Sequence, residues 1–214
     1  MLEQLDFVEN RVIRVGAEAV IKEMRWKGLR LVAKHRVPKG YRAAAIDEKV
    51  RRSRTLHEAK MLSHLSENGL PVPLVLFIDL ANSIIYMQFI DGVELRTQPS
   101  PERYAERLGE IMASMHDMDI VHGDLTLANI IADGDTGIWL VDFGLSAFNA
   151  DLEEKAVDIH LLERSATSTF PEKAREFTHL FLRGYSGVVG REKAREVLEK
   201  VKEIRSRGRY VDRG

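Results

Sequence analysis

Asp124, Asn129 and Asp142 have the side chains and the spacing of a site that transfers a phosphoryl group. Phosphoryl transfer requires Mg²⁺ between the phosphates, and Mg²⁺ prefers hard oxygen ligands, which Asn129 and Asp142 supply. It also requires a carboxylate beside the attacking hydroxyl or water, the role that we expect for Asp124. The alternative is that these are ordinary turn residues, because Asp, Asn and Gly are common in turns. The spacing favours a catalytic Asp124 with metal ligands Asn129 and Asp142.

The segment between these residues predicts a β-hairpin. Two apolar runs, at residues 130–132 and 138–141, flank a turn at residues 133–137 that is rich in Asp and Gly. The two ends of a hairpin lie side by side, so Asn129 and Asp142 should be neighbours. We therefore expect one cleft to hold both of them together with Asp124.

These clusters resemble the catalytic motifs of the protein-kinase superfamily. The His-Gly-Asp sequence at 122–124, with Asn129, matches its catalytic loop in order and spacing, and the Asp-Phe-Gly sequence at 142–144 matches its metal-binding motif. The resemblance implies an α+β, minimal two-lobed kinase-like fold. The N-lobe, residues 1–90, would be an antiparallel sheet with one main helix, and the C-lobe, residues 91–214, would be reduced and mostly helical. The implied cofactors are ATP and Mg²⁺.

Composition and length restrict the class of protein. The chain has 214 residues and a formal net charge of −1, so no general affinity for polyanions is implied. It has no cysteine, which excludes disulfides and thiolate metal sites. Its start lacks the basic stretch and apolar run of a signal peptide, and no apolar run is long enough to span a bilayer. We expect a cytoplasmic protein.

Three strand-like runs, at residues 11–15, 20–26 and 29–35, predict an antiparallel sheet at the start of the chain. The kinase resemblance places the phosphate-binding loop between the first two, although only one of the usual three glycines is present. Alanine still permits the backbone to approach phosphate closely, but a plain hairpin turn explains this segment equally well. By resemblance, the nucleotide-binding residues of the loop are Gly16, Ala17, Glu18, Ala19 and Val20.

Lys34 and Glu58 are predicted to form an ion pair. In the kinase resemblance, Lys34 reaches the α- and β-phosphates, while Val32, on the same face of its strand, lies against the adenine. A helix over about residues 50–68 places Glu58 on its apolar face, where a carboxylate must be paired because burying it alone is very costly. The alternatives are an exposed edge lysine and a solvated helix glutamate.

The predicted strands within residues 73–88 lead into a short connector, Phe89–Gly92, which in the kinase resemblance is the hinge between the lobes. Met87 would then flank the deep end of the adenine pocket. The backbones of Gln88 and Ile90 would bond to the adenine edge. An ordinary core role for Met87 stays open.

The C-lobe carries further residues that would support the catalytic loop. Ser100 and Pro101 predict the start of a helix, with Ser as the N-cap. His122 is interpreted as a buried imidazole that holds the loop backbone, since Asp124 already provides the carboxylate. Asp158, on the apolar face of a later helix, would hold the same backbone by resemblance, or else lies at the surface.

Two departures from ordinary kinases bear on activity. Gly123 replaces an arginine that in many kinases pairs with a phosphate on the activation loop, so that form of regulation is not expected. Only residues 145–151 separate the Asp-Phe-Gly motif from the next helical pattern, so the platform for an extended peptide is missing. This favours ATP hydrolysis on behalf of a partner. Two more helices, over about residues 171–185 and 191–205, close the chain.

Two segments are basic, and the sequence leaves their binding role open. The run at residues 51–54 and the tail at residues 205–214 are rich in arginine, and the tail has one aromatic residue. Such segments bind RNA phosphates or acidic protein surfaces. Simple solvation is the alternative for both.

The motifs together resemble one family, the small atypical kinase-like ATPase subunit of the KEOPS complex, or Bud-site-selection/p53-related kinase family. The shared features are the single-glycine loop, the two catalytic clusters, the segment 156–164 directly after them, and the Arg-x-Arg-Tyr sequence at 207–210. The resemblance covers essentially the whole chain. It implies Mg-ATP-dependent phosphoryl transfer, as an ATPase or an atypical Ser/Thr kinase, in support of tRNA threonylcarbamoyladenosine modification. The implied partners are a sialoglycoprotease-like (Kae-type) subunit and other KEOPS subunits, with a tRNA contact through the tail left open.

Three alternatives remain at this point. A small-molecule phosphotransferase of the aminoglycoside or choline type shares the clusters but usually has a larger C-terminal lobe. A RIO-type kinase usually has a Ser-rich phosphate loop, which is absent here. A catalytically dead scaffold or RNA-binding module is disfavoured because the predicted metal ligands and Lys34 are all present.

Overall fold

The computed structural model of the chain describes residues 7–135 and 137–211, with side chains as far as Arg207. Within these residues the architecture is the predicted mixture of strands and helices. The strands are β1 (Val8–Val15), β2 (Ala19–Trp26), β3 (Leu29–Arg36), β4 (Val75–Asp79), β5 (Ile84–Gln88), β6 (Val93–Glu94), β7 (Ile120–Val121), β8 (Ile130–Asp133), β9 (Gly137–Leu140) and β10 (Ala147–Phe148). The helices are α1 (Ala44–Glu67), α2 (Glu102–Asp117), α3 (Leu152–Thr169), α4 (Ala174–Val189) and α5 (Arg191–Val211).

These elements fall into two compact units. The first comprises the described residues up to Asn68 together with Val72–Ile90. The second comprises Gly69–Pro71 and the described residues from Asp91 onward. We propose that these units correspond to the N-lobe and the C-lobe of the kinase resemblance.

The first unit is built on an antiparallel sheet of five strands in the order β1-β2-β3-β5-β4. Side chains alternate across a strand, so β3 has two different faces. Leu31 and Ala33 belong to a buried apolar cluster on one face. Val32, Lys34 and Arg36 share the other face, as predicted for the first two. Arg30 lies on this face as well, so the strand presents three cations on the face opposite its apolar cluster.

Helix α1 begins earlier than the sequence predicted, at Ala44 rather than near residue 50. Asp47 lies in this added first turn and stabilises it, because its Oδ2 accepts a hydrogen bond at 2.7 Å from Nε of Arg51, one turn later. The helix ends at Glu67 with Asn68 as its C-cap, as predicted, before Gly69 with a φ of +77°.

In the second unit, α2 and α4 pack backbone to backbone. A Cβ at Gly109 of α2 would overlap the Phe181 carbonyl oxygen of α4, and a Cβ at Gly184 of α4 would overlap the Glu106 carbonyl oxygen of α2. An apolar stripe of α2 is buried along its length: Tyr104, Leu108, Ile111, Met112 and Met115. This packing fixes the helix that leads into the catalytic loop.

The prediction that Ser100 is the N-cap of α2 is wrong. The residue at the cap is Pro101, and no side chain caps the helix. Pro101 already has helical angles, a φ of −65° and a ψ of −24°, so Ser100 contributes its carbonyl oxygen instead, which accepts from the Arg103 N–H at 3.3 Å. A complete capping box occurs at α3, between Asp151 and Glu154.

The last two helices differ from the prediction at their ends. Helix α4 begins three residues later than predicted, at Ala174, and continues to Val189, where Gly190 with a φ of +84° ends it. Helix α5 continues past residue 205 to Val211. Among the helices of the described residues, none combines the length and the apolarity needed to cross a membrane.

Candidate active site

The predicted hairpin is present and joins the two catalytic clusters. Strands β8 and β9 pair in antiparallel register, from Ile130 opposite Leu140 to Asp133 opposite Gly137. One step beyond this ladder, the Val141 N–H donates to the Asn129 carbonyl oxygen at 3.0 Å. Asn129 and the residue preceding Asp142 are therefore hydrogen-bonded neighbours. Thr136, in the turn, lies outside the described residues.

Asn129 also holds Asp124. Its Nδ2 donates both to the Asp124 carbonyl oxygen, at 2.8 Å, and to the Asp124 carboxylate Oδ2, at 2.9 Å. Both of these hydrogen bonds from the amide nitrogen go to Asp124. The remaining polar atom of the side chain, Oδ1, is an acceptor. Asn129 itself is buried. The hairpin and this amide bring together three residues that the sequence singled out.

The oxygen donors of this cluster suit Mg²⁺. Asp142 is exposed and adopts a φ of +66°, a left-handed conformation that is uncommon for residues other than glycine. Among the described residues no three His, Cys, Asp or Glu side chains cluster as a metal site. Mg²⁺ in nucleotide sites is usually held by one or two protein oxygens, with phosphates and water completing the shell. The pair of Asn129 Oδ1 and the Asp142 carboxylate fits that donor set.

Asp158 holds the backbone of the catalytic loop, as the kinase resemblance implied. Its Oδ2 accepts the His122 N–H at 2.6 Å, and its Oδ1 accepts the Gly123 N–H at 2.9 Å. The side chain is 1% exposed. A buried carboxylate that accepts backbone donors is satisfied without a cation of its own. Helix α3 therefore anchors the loop that carries Asp124.

His122 has the structural contacts predicted for it. Its Nε2 lies 3.1 Å from the Val141 carbonyl oxygen, and its ring centroid lies 4.6 Å from that of the buried Phe143. Burial lowers the pKa of the imidazole, although the charge of Asp158 and the Val141 carbonyl act in the opposite direction. The neutral ring ties the catalytic loop to the residues just before Asp142.

We expect the protein without nucleotide or Mg²⁺ to lose stability as the pH falls below 6.5, the ordinary pKa of histidine. The unfolded chain takes up a proton there that folded His122 binds only at lower pH, so the free energy of unfolding falls by up to about 1.4 kcal/mol per pH unit for this group. Burial also lowers the pKa values of His35 and His160, which act in the same direction. Urea denaturation between pH 7 and 5 measures the slope. His122→Gln should reduce it, and an unchanged slope would contradict the assignment.

Gly123 has a steric reason to be glycine. Its φ is +79°, and a Cβ would overlap the carbonyl oxygen of Leu145, just after the Asp-Phe-Gly motif. An arginine at this position would therefore require a different path for the residues around Leu145. The close approach ties the two catalytic clusters together at a second point.

We expect Gly123→Ala to destabilise the protein by more than a glycine substitution in an open turn. Gly134 is the matched control, since it also has a positive φ, +61°, but nothing lies within 4 Å of its Cβ position. In Gly134→Ala the free energy of unfolding should fall only by the cost of left-handed strain, about 1–2 kcal/mol. In Gly123→Ala it should fall by that amount and also by the cost of displacing Leu145. Equal urea midpoints for the two variants would show that the overlap is relieved without cost.

The predicted ion pair of Lys34 and Glu58 is present in the first unit. Lys34 Nζ donates to Glu58 Oε1 at 2.6 Å, and both side chains are buried. A second cation, which was not predicted, binds the same carboxylate: Arg36 Nη2 donates to Glu58 Oε2 at 2.6 Å. The alternation of β3 was the signal that could have found it, since Arg36 lies two residues after Lys34 on the same face.

Two predicted adenine contacts are cross-strand neighbours. Val32 of β3 lies opposite Met87 of β5, and Met87 is 7% exposed. The Gln88 N–H donates to the Leu74 carbonyl oxygen at 2.8 Å, so this N–H is already occupied. Ile90, the other predicted hinge contact, is buried. These positions are consistent with the predicted adenine contacts, which stay predictions.

The predicted phosphate loop is a tight turn between β1 and β2. The Gly16 N–H donates to the Ala19 carbonyl oxygen at 2.9 Å. Within the turn, Ala17 and Glu18 are exposed. Ala19 and Val20 are the first residues of β2. The segment is thus a hairpin turn by geometry, and its contact with phosphate stays a prediction.

The two basic segments make intramolecular ion pairs. The first run is part of α1: Arg51 pairs with Asp47 of the same helix, and Arg54 pairs with Glu18 in the turn before β2. In the tail, Arg205 pairs with Glu163 and Arg207 pairs with Glu153, both glutamates on α3: these four residues join α5 to α3. The side chains of residues 208–214 lie outside the described residues. The paired arginines do not require an RNA partner to account for them.

Comparison with known proteins gives relatives over nearly the whole chain. A family model described as RIO1, the RIO domain, matches residues 21–164. "KEOPS complex subunit Bud32" of Pyrococcus abyssi is 36% identical, and the match covers 95% of this chain and 97% of that protein. "EKC/KEOPS complex subunit Tp53rkb" of Mus musculus is 36% identical over 92% of this chain and 86% of its own length.

Other relatives are longer proteins. A "Probable bifunctional tRNA threonylcarbamoyladenosine biosynthesis protein" of Methanobrevibacter smithii is 38% identical over 94% of this chain, and one of Methanosphaera stadtmanae is 38% identical over 92%. The chain spans 37% and 36% of the length of these two relatives.

A solved structure supports the fold. The Rio2 kinase of Chaetomium thermophilum, in a complex with ADP/Mg²⁺ and phosphoaspartate, matches with a TM-score of 0.67 and 16% identity, over 93% of this chain and 71% of that one. At this identity the match shows the fold alone. The predicted kinase-like fold is confirmed.

Proposed function

The chain belongs to the family of the KEOPS subunit Bud32 and contains a RIO domain, and we propose from that premise that it is a kinase-like enzyme that uses Mg-ATP. Its role would be to support the threonylcarbamoyladenosine modification of tRNA within a KEOPS-like complex. RIO-type kinases usually differ from this chain in having a Ser-rich phosphate loop, but the RIO domain match makes them relatives in the same broad family.

The observation that carries this proposal is the bonding of Asn129. One amide nitrogen fixes the carboxylate of Asp124, at 2.9 Å, and leaves the amide oxygen as an acceptor on a residue whose backbone bonds Val141, next to Asp142. A turn-forming asparagine needs no such contacts. A metal ligand next to a catalytic carboxylate does, because phosphoryl transfer is catalysed mostly by positioning and by charge stabilisation.

In the proposed mechanism each side chain has one task. Lys34, held by Glu58, orients the α- and β-phosphates. Asn129 and Asp142 hold Mg²⁺, which neutralises charge on the phosphates. Asp124 accepts a hydrogen bond from the attacking water or hydroxyl and orients its oxygen toward the γ-phosphorus, in line with the bond to ADP, which breaks as the new bond forms. The products of hydrolysis are ADP and inorganic phosphate.

The nucleotide base and the phosphate backbone would be held by other residues of the first unit. We propose that Val32 and Met87 pack against the adenine. The Gln88 carbonyl and the Ile90 N–H would form hydrogen bonds with its edge. The backbone of the turn at residues 16–20 would approach the phosphates.

ATP hydrolysis is favoured over the phosphorylation of extended peptides by the chain after the Asp-Phe-Gly motif. Ala147 and Phe148 form β10, which pairs with β7. Asp151 then caps α3 directly. This short segment offers no extended peptide platform like that of ordinary protein kinases. Whether a Ser/Thr hydroxyl also serves as an acceptor is decided by assay.

We propose that the enzyme acts while bound to a sialoglycoprotease-like (Kae-type) subunit and other KEOPS subunits. The names of the Bud32 and Tp53rkb relatives support a KEOPS assembly. A contact between the tail and tRNA is a weaker part of the proposal, because Arg205 and Arg207 already pair with α3.

The test is ATP turnover by the purified chain, alone and with a Kae-type subunit, in the presence of Mg²⁺ or of a chelator. We expect turnover that requires Mg²⁺. Radiolabelled ATP with casein-like and KEOPS proteins as acceptors distinguishes hydrolysis from protein phosphorylation. Nucleotide binding that is absent with and without the partner would favour a catalytically dead scaffold.

A further inference from the structure

Glu18 lies in the predicted phosphate loop but directs its carboxylate to helix α1 and strand β3. Its Oε2 accepts a hydrogen bond from Arg54 Nη1, and it lies 3.4 Å from Arg36 Nη1. Arg54 belongs to α1, and Arg36 is the last residue of β3. A residue of an exposed turn is thereby connected to two elements that carry the predicted lysine–glutamate pair.

Arg36 links this turn to Lys34. Its side chain is 5% exposed and bonds Glu58 through Nη2 while Nη1 faces Glu18. Glu58 in turn accepts from Lys34 at 2.6 Å. The result is a continuous series of alternating charges: Arg54, Glu18, Arg36, Glu58 and Lys34.

Glu18 is ionised in this setting. Burial would raise its pKa, but the hydrogen bond and charge of Arg54 and the charges of Arg36 and Arg42 outweigh that effect, so the pKa lies below its ordinary value. At neutral pH its contacts are therefore charge-assisted. The glutamate is half-exposed, and pairs of this kind contribute modestly because water screens them.

We propose that Glu18 is a positioning residue for the nucleotide phosphates, which rests on the proposed binding of Mg-ATP. The loop has one glycine where kinases usually have three, so its backbone N–H groups need another means of being placed. The ion pairs of Glu18 fasten the turn at residues 16–19 to α1 and β3. A turn that is already fixed loses less conformational entropy when it binds phosphate.

The first experiment measures equilibrium binding of Mg-ATP and of adenosine by calorimetry, for the wild type, Glu18→Gln and Arg54→Gln. Each variant should bind Mg-ATP about two- to fivefold more weakly, the size expected for one half-exposed ion pair. Adenosine affinity should not change, because adenosine has no phosphate to meet the loop. The double variant should be no weaker than Glu18→Gln alone, because the contact that Arg54→Gln removes is one of those already lost in Glu18→Gln.

Glu9→Gln is the matched control. Glu9 pairs with Lys22 at 2.7 Å, across the same two strands β1 and β2, and this pair lies outside the series that leads to Lys34. The control removes the same charge from the same sheet. We expect its affinity for Mg-ATP to equal that of the wild type.

The outcomes separate this inference from the proposed function. Unchanged or tighter Mg-ATP binding by Glu18→Gln and Arg54→Gln, with a wild type that binds normally, overturns the role of Glu18 and leaves the proposed function intact. Tighter binding by Glu18→Gln would mean that its charge repels the phosphates. An equal loss for adenosine would overturn the role as well, because the defect would not be in phosphate contact. A wild type that fails to bind Mg-ATP overturns both.

Discussion

Asp124→Asn should reduce ATP turnover by about a thousandfold, within the range that a positioned acid–base group contributes. The substitution keeps the size of the side chain, and its amide oxygen can still accept the hydrogen bond that Asn129 donates at 2.9 Å. It removes the charge that orients the attacking water. Steady-state turnover and equilibrium ATP binding should both be measured, and the affinity for Mg-ATP should stay within about threefold of the wild type.

The control for this variant is Asp135→Asn. Asp135 is also near the hairpin but is 91% exposed, and its contact with Arg103, at 3.5 Å, is long. Its replacement should leave turnover unchanged. If Asp124→Asn hydrolyses ATP as fast as the control, the carboxylate is not the catalytic group and the proposed mechanism is wrong.

Glu58→Gln should destabilise the folded chain by about 3–5 kcal/mol, the usual cost of removing one partner from a buried ion pair. Glu58 is 1% exposed and is bonded by two cations, Lys34 and Arg36, at 2.6 Å each. A neutral amide can accept from one of them, but its NH₂ group then faces the other. Both buried cations would lose the negative charge of this carboxylate. Urea denaturation measures the loss.

Glu9→Gln serves again as the control, because its partner Lys22 is partly exposed and the loss should be small. A further variant separates stability from function: replacing Lys34, Arg36 and Glu58 together by Met should recover most of the stability, since buried ion groups are often replaced by apolar residues at little cost. That variant should still fail to bind Mg-ATP. A Glu58→Gln protein as stable as the control would show that water reaches this site.

The sequence predicted the local parts of the candidate site well. Asn129 and Asp142 come together because a hairpin of known geometry lies between them, and the apolar runs and the Asp-Gly turn define that hairpin. Asp158 was placed correctly because helical spacing put it on a buried face. In each case a short-range pattern fixes which way the side chain points.

The parts that the sequence did not reveal depend on contacts between distant residues. Glu18 and Arg54 are 36 positions apart, and no periodicity links them. Arg36 was missed for a related reason: the predicted strand ended at residue 35, and a strand pattern does not show how many cations one glutamate would accept. The Ser100 cap was wrong because the helical angles of Pro101 let the Ser100 carbonyl, not its hydroxyl, start the turn.

The most direct test of the central claim is a crystal structure with Mn²⁺ and a non-hydrolysable ATP analogue, in which anomalous scattering locates the metal. Mn²⁺ accepts the same oxygen ligands as Mg²⁺. We expect one strong peak about 2.0–2.4 Å from both Asn129 Oδ1 and an Asp142 carboxylate oxygen, with the terminal phosphate facing Asp124. A metal and nucleotide bound away from these three side chains would contradict the account.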